Sequence, residues 1–142
     1  MASRFARFDT TAWPLVTVTF EGTPTDEAFE ACLADFDAVY AKGARVAFVL
    51  DTSDAGPLSA TQRRRAASWM AARTRMLRDQ CLGLAFVVAS QVIRGVITAV
   101  FWIQPMPAAW TIEMRRASAV AWARERLREA RVDRSEERIS EI

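Results

Sequence analysis

The sequence predicts an α/β domain in which about five strands form a mixed sheet and four helices cover it, in the order β-β-α-β-α-β-α-β-α. Two apolar runs of strand length, Val46-Ala47-Phe48-Val49-Leu50 and the stretch holding Leu84, Phe86, Val87 and Val88, are too continuous for a strand with one wet face. They fit strands covered on both sides. Longer segments between such runs place apolar residues at helical spacing behind a capping residue. After an initial strand pair, strand and helix alternate, which implies helical crossovers beside one hairpin and hence a sheet that is not purely parallel. The helices are expected to wrap the sheet as a single layer.

Phe5–Phe8 and Leu15–Phe20 read as the first strands, the second alternating Val16, Val18 and Phe20 with Thr17 and Thr19, and Ala12-Trp13-Pro14 turns between them. Thr23-Pro24-Thr25-Asp26 has the form of a helix start, with Thr23 as cap and Asp26 closing a capping box. Phe29, Cys32, Leu33, Phe36, Val39 and Tyr40 then form one apolar stripe, Glu27, Glu30, Asp35 and Asp37 lie mostly off it, and Gly43 stops the helix. The strand Arg45–Asp51 and a turn-rich loop Thr52–Leu58 lead to a second helix. Ser59 opens that helix in a box with Gln62; Ala66, Trp69, Met70 and Leu77 form its apolar side, and Arg63, Arg64, Arg65, Arg73, Arg75 and Arg78 its other sides. A strand Leu82–Val88 precedes a third helix, Gln91–Ile103, capped by Ser90 and apolar nearly all the way round. Pro105 and Pro107 end it, Ala108–Met114 reads as the last strand, and Ser118–Val132 as the last helix. Residues 1–132 form one domain, and the charge-alternating tail 133–142 is expected to fray.

At 142 residues, 51% apolar and 25% charged, the chain is long enough to bury roughly two thirds of its unfolded surface without a disulfide or metal. No run approaches the ~20 apolar residues of a membrane span, and the start Met1-Ala2-Ser3-Arg4 lacks an apolar signal region, so a cytoplasmic location is expected. Cys32 and Cys81 fall in apolar patterns and read as buried thiols. Histidine is absent, which removes histidine-based nucleophile systems, histidine metal sites and imidazole acid–base chemistry. The net charge of +2 is unevenly spread: residues 1–54 carry four basic and nine acidic side chains, residues 55–112 seven and one. Eighteen of the 19 basic residues are arginine.

Asp51, ending a buried strand, and the helix start Ser59–Arg65 form the first candidate site. Free N–H groups, the positive dipole end, Ser59, Thr61 and Arg63, Arg64 and Arg65 would suit an anion or an acidic partner. The three arginines span most of a turn and cannot all face one ligand. Arg73, Arg75 and Arg78 near Trp69 would suit nucleic acid only with exposed aromatics. No recognition motif is present and Trp69 fits the core, so nucleic acid is not expected. The helix Gln91–Ile103 is too apolar for a simple surface helix. Phe101 and Trp102 point about 100° apart, so one of them is a candidate for a homodimer contact, a partner surface or the lip of an apolar pocket against Trp69. Asp51 has no carboxylate mate, and no metal site, catalytic residue or cofactor is expected.

The element order, the core strand ending in Leu50-Asp51, the strand Gly83–Val88, the helix at Ser90 and the last helix with Ala121-Trp122 resemble the SpoIIAA-like, or STAS/SEC14-like, domains over about residues 5–130. The resemblance implies a non-enzymatic module that binds a protein, nucleotide or lipid, switched in the anti-sigma-factor antagonists by phosphorylation of a serine opening the helix after the central strand. Counted from Asp51, that serine falls on Ala60, flanked by Ser59 and Thr61, with Gln62 where the family motif has glycine. The phosphoacceptor is missing in register. The expected function is a regulatory or protein-interaction module, a homodimer through the apolar helix Ser90–Ile103. A carrier of a small anionic amphiphile (a lipid or nucleotide-like ligand) is the alternative, and an enzyme using Asp51 and Arg64 ranks last.

Overall fold

A computed structural model of the chain describes residues 4–140, with side-chain surroundings described as far as residue 133. The strands β1 (Ala6–Asp9) and β2 (Leu15–Gly22) form the hairpin, and α1 (Asp26–Tyr40) crosses to β3 (Val46–Ala55). Two helices, α2 (Ala60–Ala72) and α3 (Thr74–Gln80), lead to β4 (Cys81–Val87). Then α4 (Gln91–Ile103) crosses to β5 (Trp110–Glu113), and α5 (Arg116–Ser140) follows. The sheet is mixed, in the order β1-β2-β3-β4-β5, with β1 antiparallel to β2 and the other pairs parallel.

The helices lie on both faces of the sheet, not in the single layer expected. Three crossovers step across the sheet in one direction, and one handedness then places all their helices on the same side. Side chains of α1, α2, α3 and α4 accordingly meet Val16, Val18, Val46, Phe48, Leu50 and Leu84 in one core. The segment after β5 is not a crossover and is free to return over the other face. There α5 packs Ala119 and Ala123 onto Ala47, Val49, Ala85 and Val87. Small residues on both sides let helix and sheet approach closely: a Cβ on Gly83 would lie 2.7 Å from the Trp122 ring. Over β1 and β2 the same face carries Arg7, Asp9, Thr17, Thr19 and Glu21, and the first and last of these form an ion pair.

Five helices form where four are expected, because the basic helix breaks at Arg73 (φ −122°, ψ 21°). The Thr74 hydroxyl donates towards the Met70 and Ala71 carbonyls, competing locally with a continuous helix. The first helix is capped by Thr25, whose hydroxyl accepts the Ala28 amide at 3.1 Å, and not by Thr23. Asp26 closes no capping box; it accepts from the Gln62 side chain of α2. Gly43, at φ +76°, reverses the chain after α1 as expected. The strand β3 runs through Thr52 to Ala55, into the stretch expected as loop, while α5 starts two residues before Ser118 and stays helical past Val132 to Ser140. Of the tail expected to fray, 141–142 lie outside the described residues.

Candidate functional site

Two of the six arginines on the basic helix face, Arg65 and Arg73, are committed to the acidic face of α1. Arg65 grips Glu30 with two hydrogen bonds of 2.6 and 3.1 Å, and these hold the Glu30 carboxyl below its usual range. Two turns on, Arg73 grips Asp37 at 2.6 and 3.0 Å, donates to the Trp69 carbonyl at 3.1 Å and lies 4.6 Å over the Trp69 ring. Arg63 turns back to the Leu58 carbonyl at 2.7 Å. Two members of the acidic excess in residues 1–54 thus meet two of the basic excess in residues 55–112 across one helix–helix seam. Arg64 is exposed at the surface, as are Arg75 and Arg78.

The α2 start is closed upon itself. Ser59 Oγ accepts the Gln62 backbone N–H at 3.1 Å, Gln62 Oε1 accepts the Ser59 backbone N–H at 3.0 Å, and Gln62 Nε2 donates to the Pro24 carbonyl and to Asp26. Gln62 is the buried polar side chain that fastens α2 to α1, a role the sequence reading did not assign. Thr61 is exposed on the first turn. Asp51 does not join this group. It follows Leu50 on β3 and so points to the opposite face, where it accepts from the Ser53 amide and hydroxyl and lies 3.4 Å from Arg116 of α5. The structure therefore parts Asp51 from Ser59–Arg65, because strand alternation sends them to different sides of the sheet.

The apolar group divides differently. Trp69 is buried and Phe101 turns inward, its ring 6.0 Å from Phe86 and 4.9 Å from Trp110. Both line a partly open pocket of about 200 Å³ between α1, α2, α4 and the sheet, with Leu50, Met70, Ile97 and Val100 among its other walls. Trp102 points out and is 84% exposed, beside Ile103 at 55%. Among the residues facing the cavity, Thr52 spends its hydroxyl proton on the Val87 carbonyl at 2.7 Å. Burial pushes the thiols of Cys32 up to about 12 and of Cys81 up to about 11. The Trp69 indole N–H is buried without a hydrogen-bond partner. Among the described residues, no group of three or more His, Cys, Asp or Glu is placed to hold a metal ion, and no helix is long and apolar enough to cross a membrane.

This is an α/β domain of the SpoIIAA-like, STAS-type fold. Its solved structural neighbours include an uncharacterised protein of the DUF3478 family with a SpoIIAA-like fold from Shewanella loihica PV-4, which superposes with a TM-score of 0.62 at 12% identity, covering 87% of this chain and 98% of that one. The anti-sigma factor antagonist SpoIIAA in its unphosphorylated form matches with a TM-score of 0.59 at 14% identity over 84% of this chain and 97% of its own. An anti-sigma factor antagonist from Mycobacterium paratuberculosis gives 0.54 at 15% identity over 84% and 92%. No protein-family model matches the sequence, and no curated protein matches it.

Proposed function

We propose that the chain is a non-catalytic regulatory module that acts by contact with a protein partner through the outer face of α4. The observation that carries this reading is Trp102, 84% exposed next to Ile103, on a helix whose other side is anchored in the core by Ile93, Ile97 and Val100. Tryptophan left in water forgoes the burial energy that aromatic side chains otherwise supply, and it is over-represented among residues that dominate protein interfaces. The anti-sigma factor antagonists among the structural neighbours support a regulatory reading of the fold. A second copy of this chain is the first partner to test. Light scattering should give a mass near twice 15.9 kDa, and Trp102→Asp should return it to the monomer value with the far-UV circular dichroism unchanged. A monomeric wild-type chain refutes self-association through α4.

A second reading, binding of a small ligand, is favoured by the cavity itself. A pocket of about 200 Å³, partly open to solvent and lined by Trp69, Phe101 and other apolar side chains, has room for a small apolar molecule. Of the three arginines expected at the α2 start, Arg63 faces the Leu58 carbonyl, Arg65 faces Glu30 and Arg64 is exposed at the surface, and none of them lines the cavity, so the reading rests on the apolar walls.

A further inference from the structure

The two edges of the sheet are built differently. The order β1-β2-β3-β4-β5 leaves β1 and β5 with one neighbour each, and a bare strand edge offers its N–H and C=O groups to any chain that can line up with it. Charge blunts such an edge, and β1 carries Arg7 and Asp9 among its four residues, with Arg7 held by Glu21. On β5 the one charge is Glu113, whose carboxylate accepts the Thr111 hydroxyl at 3.1 Å. The Ala109 and Glu113 carbonyls accept from the Leu84 and Val88 amides at 3.0 and 2.9 Å. In a parallel ladder the bonded residues alternate, so Thr111 faces β4 as well, and Trp110 and Ile112 turn both backbone groups to the open edge. Apolar surface gathers at the same place. Of the six large hydrophobic side chains exposed among the described residues, all but Val132 lie on α4, on β5 or directly after it: Val92, Trp102, Ile103, Trp110 and Met114.

We propose that β5 pairs antiparallel with β5 of a second copy, joining the two five-stranded sheets into one, with Thr111 of each copy facing the other on the two-fold axis. This rests on the contact through α4 proposed above, and names the second copy as the partner and a strand pair as the centre of the contact. Outward N–H and C=O groups on alternate residues call for a partner with backbone donors and acceptors at strand spacing, which a polypeptide supplies and a lipid does not. An axis at Thr111 sets Trp110 of one copy opposite Ile112 of the other, twice, and each such pair exchanges two N–H···O bonds. The same register sets Glu113 opposite Ala109, so no like charges face each other across the pair. Phe101 of α4 lies 4.9 Å from Trp110, so pairing at β5 carries the two α4 helices side by side on one face of the joined sheet, with Trp102 next to the junction. Trp102, Ile103, Trp110 and Met114 expose on the order of 500 Å² between them. That is close to the apolar share of a standard interface of about 800 Å² a side.

The test uses the ¹⁵N-labelled full-length chain. Sedimentation equilibrium is expected to give a mass near twice 15.9 kDa. Hydrogen exchange at that concentration should find the Trp110 and Ile112 amides protected, with protection that falls on dilution, while the Thr111 and Glu113 amides, which face β4, stay protected throughout. Thr111→Lys sets like charges on the axis and should weaken association at least about fivefold. Thr111→Glu should do the same, and an equimolar mixture of the two variants should recover the dimer at a concentration where each alone is monomeric. A dimer whose Trp110 and Ile112 amides exchange freely overturns the strand pair and leaves association through α4 standing. Protected amides with no recovery in the mixture overturn the register with Thr111 on the axis. A monomeric wild-type chain overturns the strand pair and self-association through α4 together. The wild-type mass and exchange decide the strand pair whether or not the variants fold.

Discussion

Replacing Arg73 by alanine separates a structural basic face from a ligand-seeking one. Its bidentate pair with Asp37 is partly wet, the two side chains being 28% and 41% exposed, so solvent screening limits the pair to about 0.5–1 kcal/mol. Arg73 also donates to the Trp69 carbonyl and lies over the Trp69 ring, and each of these contributes about 0.5–1 kcal/mol. Arg73→Ala should therefore cost about 2 kcal/mol, read as a drop of roughly 6 °C in melting temperature at about 3 °C per kcal/mol for a chain of this size. Arg64 is exposed on the same helix, and Arg64→Ala should stay within about 0.5 kcal/mol of wild type. Urea unfolding of both variants, with Asp37→Asn and the Asp37→Asn/Arg73→Ala double variant, closes a cycle whose coupling should be about 0.5–1 kcal/mol and should shrink in 0.5 M salt. Equal costs for Arg73→Ala and Arg64→Ala, or a coupling that salt leaves untouched, would show that the α1–α2 seam is not what holds the arginines.

Other expectations follow from the packing on both faces of the sheet. Gly83→Ala should destabilise the fold by about 1–3 kcal/mol, because its Cβ would enter the space of the Trp122 ring; Trp122→Leu in the same chain should recover part of the loss, and no recovery would place the strain elsewhere. The thiols give an alkaline signature. Cys32 and Cys81 are held up to about 12 and about 11 from an ordinary 9.0, so the folded state keeps protons that the unfolded chain releases. Their contribution to stability is whole below pH 9 and is lost as pH rises from 9 towards about 11 for Cys81 and about 12 for Cys32. Denaturant melts across that window should show the decline, and Cys32→Ala should flatten part of it. The native thiols should also react with a disulfide reagent at pH 8 only as fast as the chain opens.

The periodic features carried the fold well. Apolar runs marked β3 and β4, helical stripes marked α1 and α4, and the Ser59–Gln62 box stands where its spacing places it. The errors have local causes. Thr23 and Thr25 both precede helical residues; Thr25 takes the cap, and Asp26, expected to close the earlier box, accepts from the Gln62 side chain instead. Arg73-Thr74 interrupts a stretch whose composition is helical throughout, because side-chain bonds to Asp37, Met70 and Ala71 outweigh propensity there. The side taken by α5 follows from its not being a crossover, and no stripe on the helix states it. One signal for the α1–α2 seam was present: Glu30 and Asp37 recur two turns apart on one helix, and Arg65 and Arg73 recur two turns apart on the next.

The candidate site was legible as a set of residues and not as a set of contacts, and α4 shows why. Adjacent residues on a helix point about 100° apart, so Phe101-Trp102 guaranteed one aromatic inward and one outward. Which was which depended on the sheet beneath. Phe86 on β4 and Trp110 on β5 offer a ring-lined seat, and only the residue in register with Ile97 and Val100 can occupy it. Phe101 takes that place, leaving Trp102 without a neighbour of comparable size. The inward aromatic closes a cavity that Trp69 walls from the opposite helix, and the outward one sets the most exposed tryptophan one residue away from it. The proposed partner face and the pocket thus lie on two sides of one helix, so a displacement of Phe101 would carry its neighbour Trp102 with it.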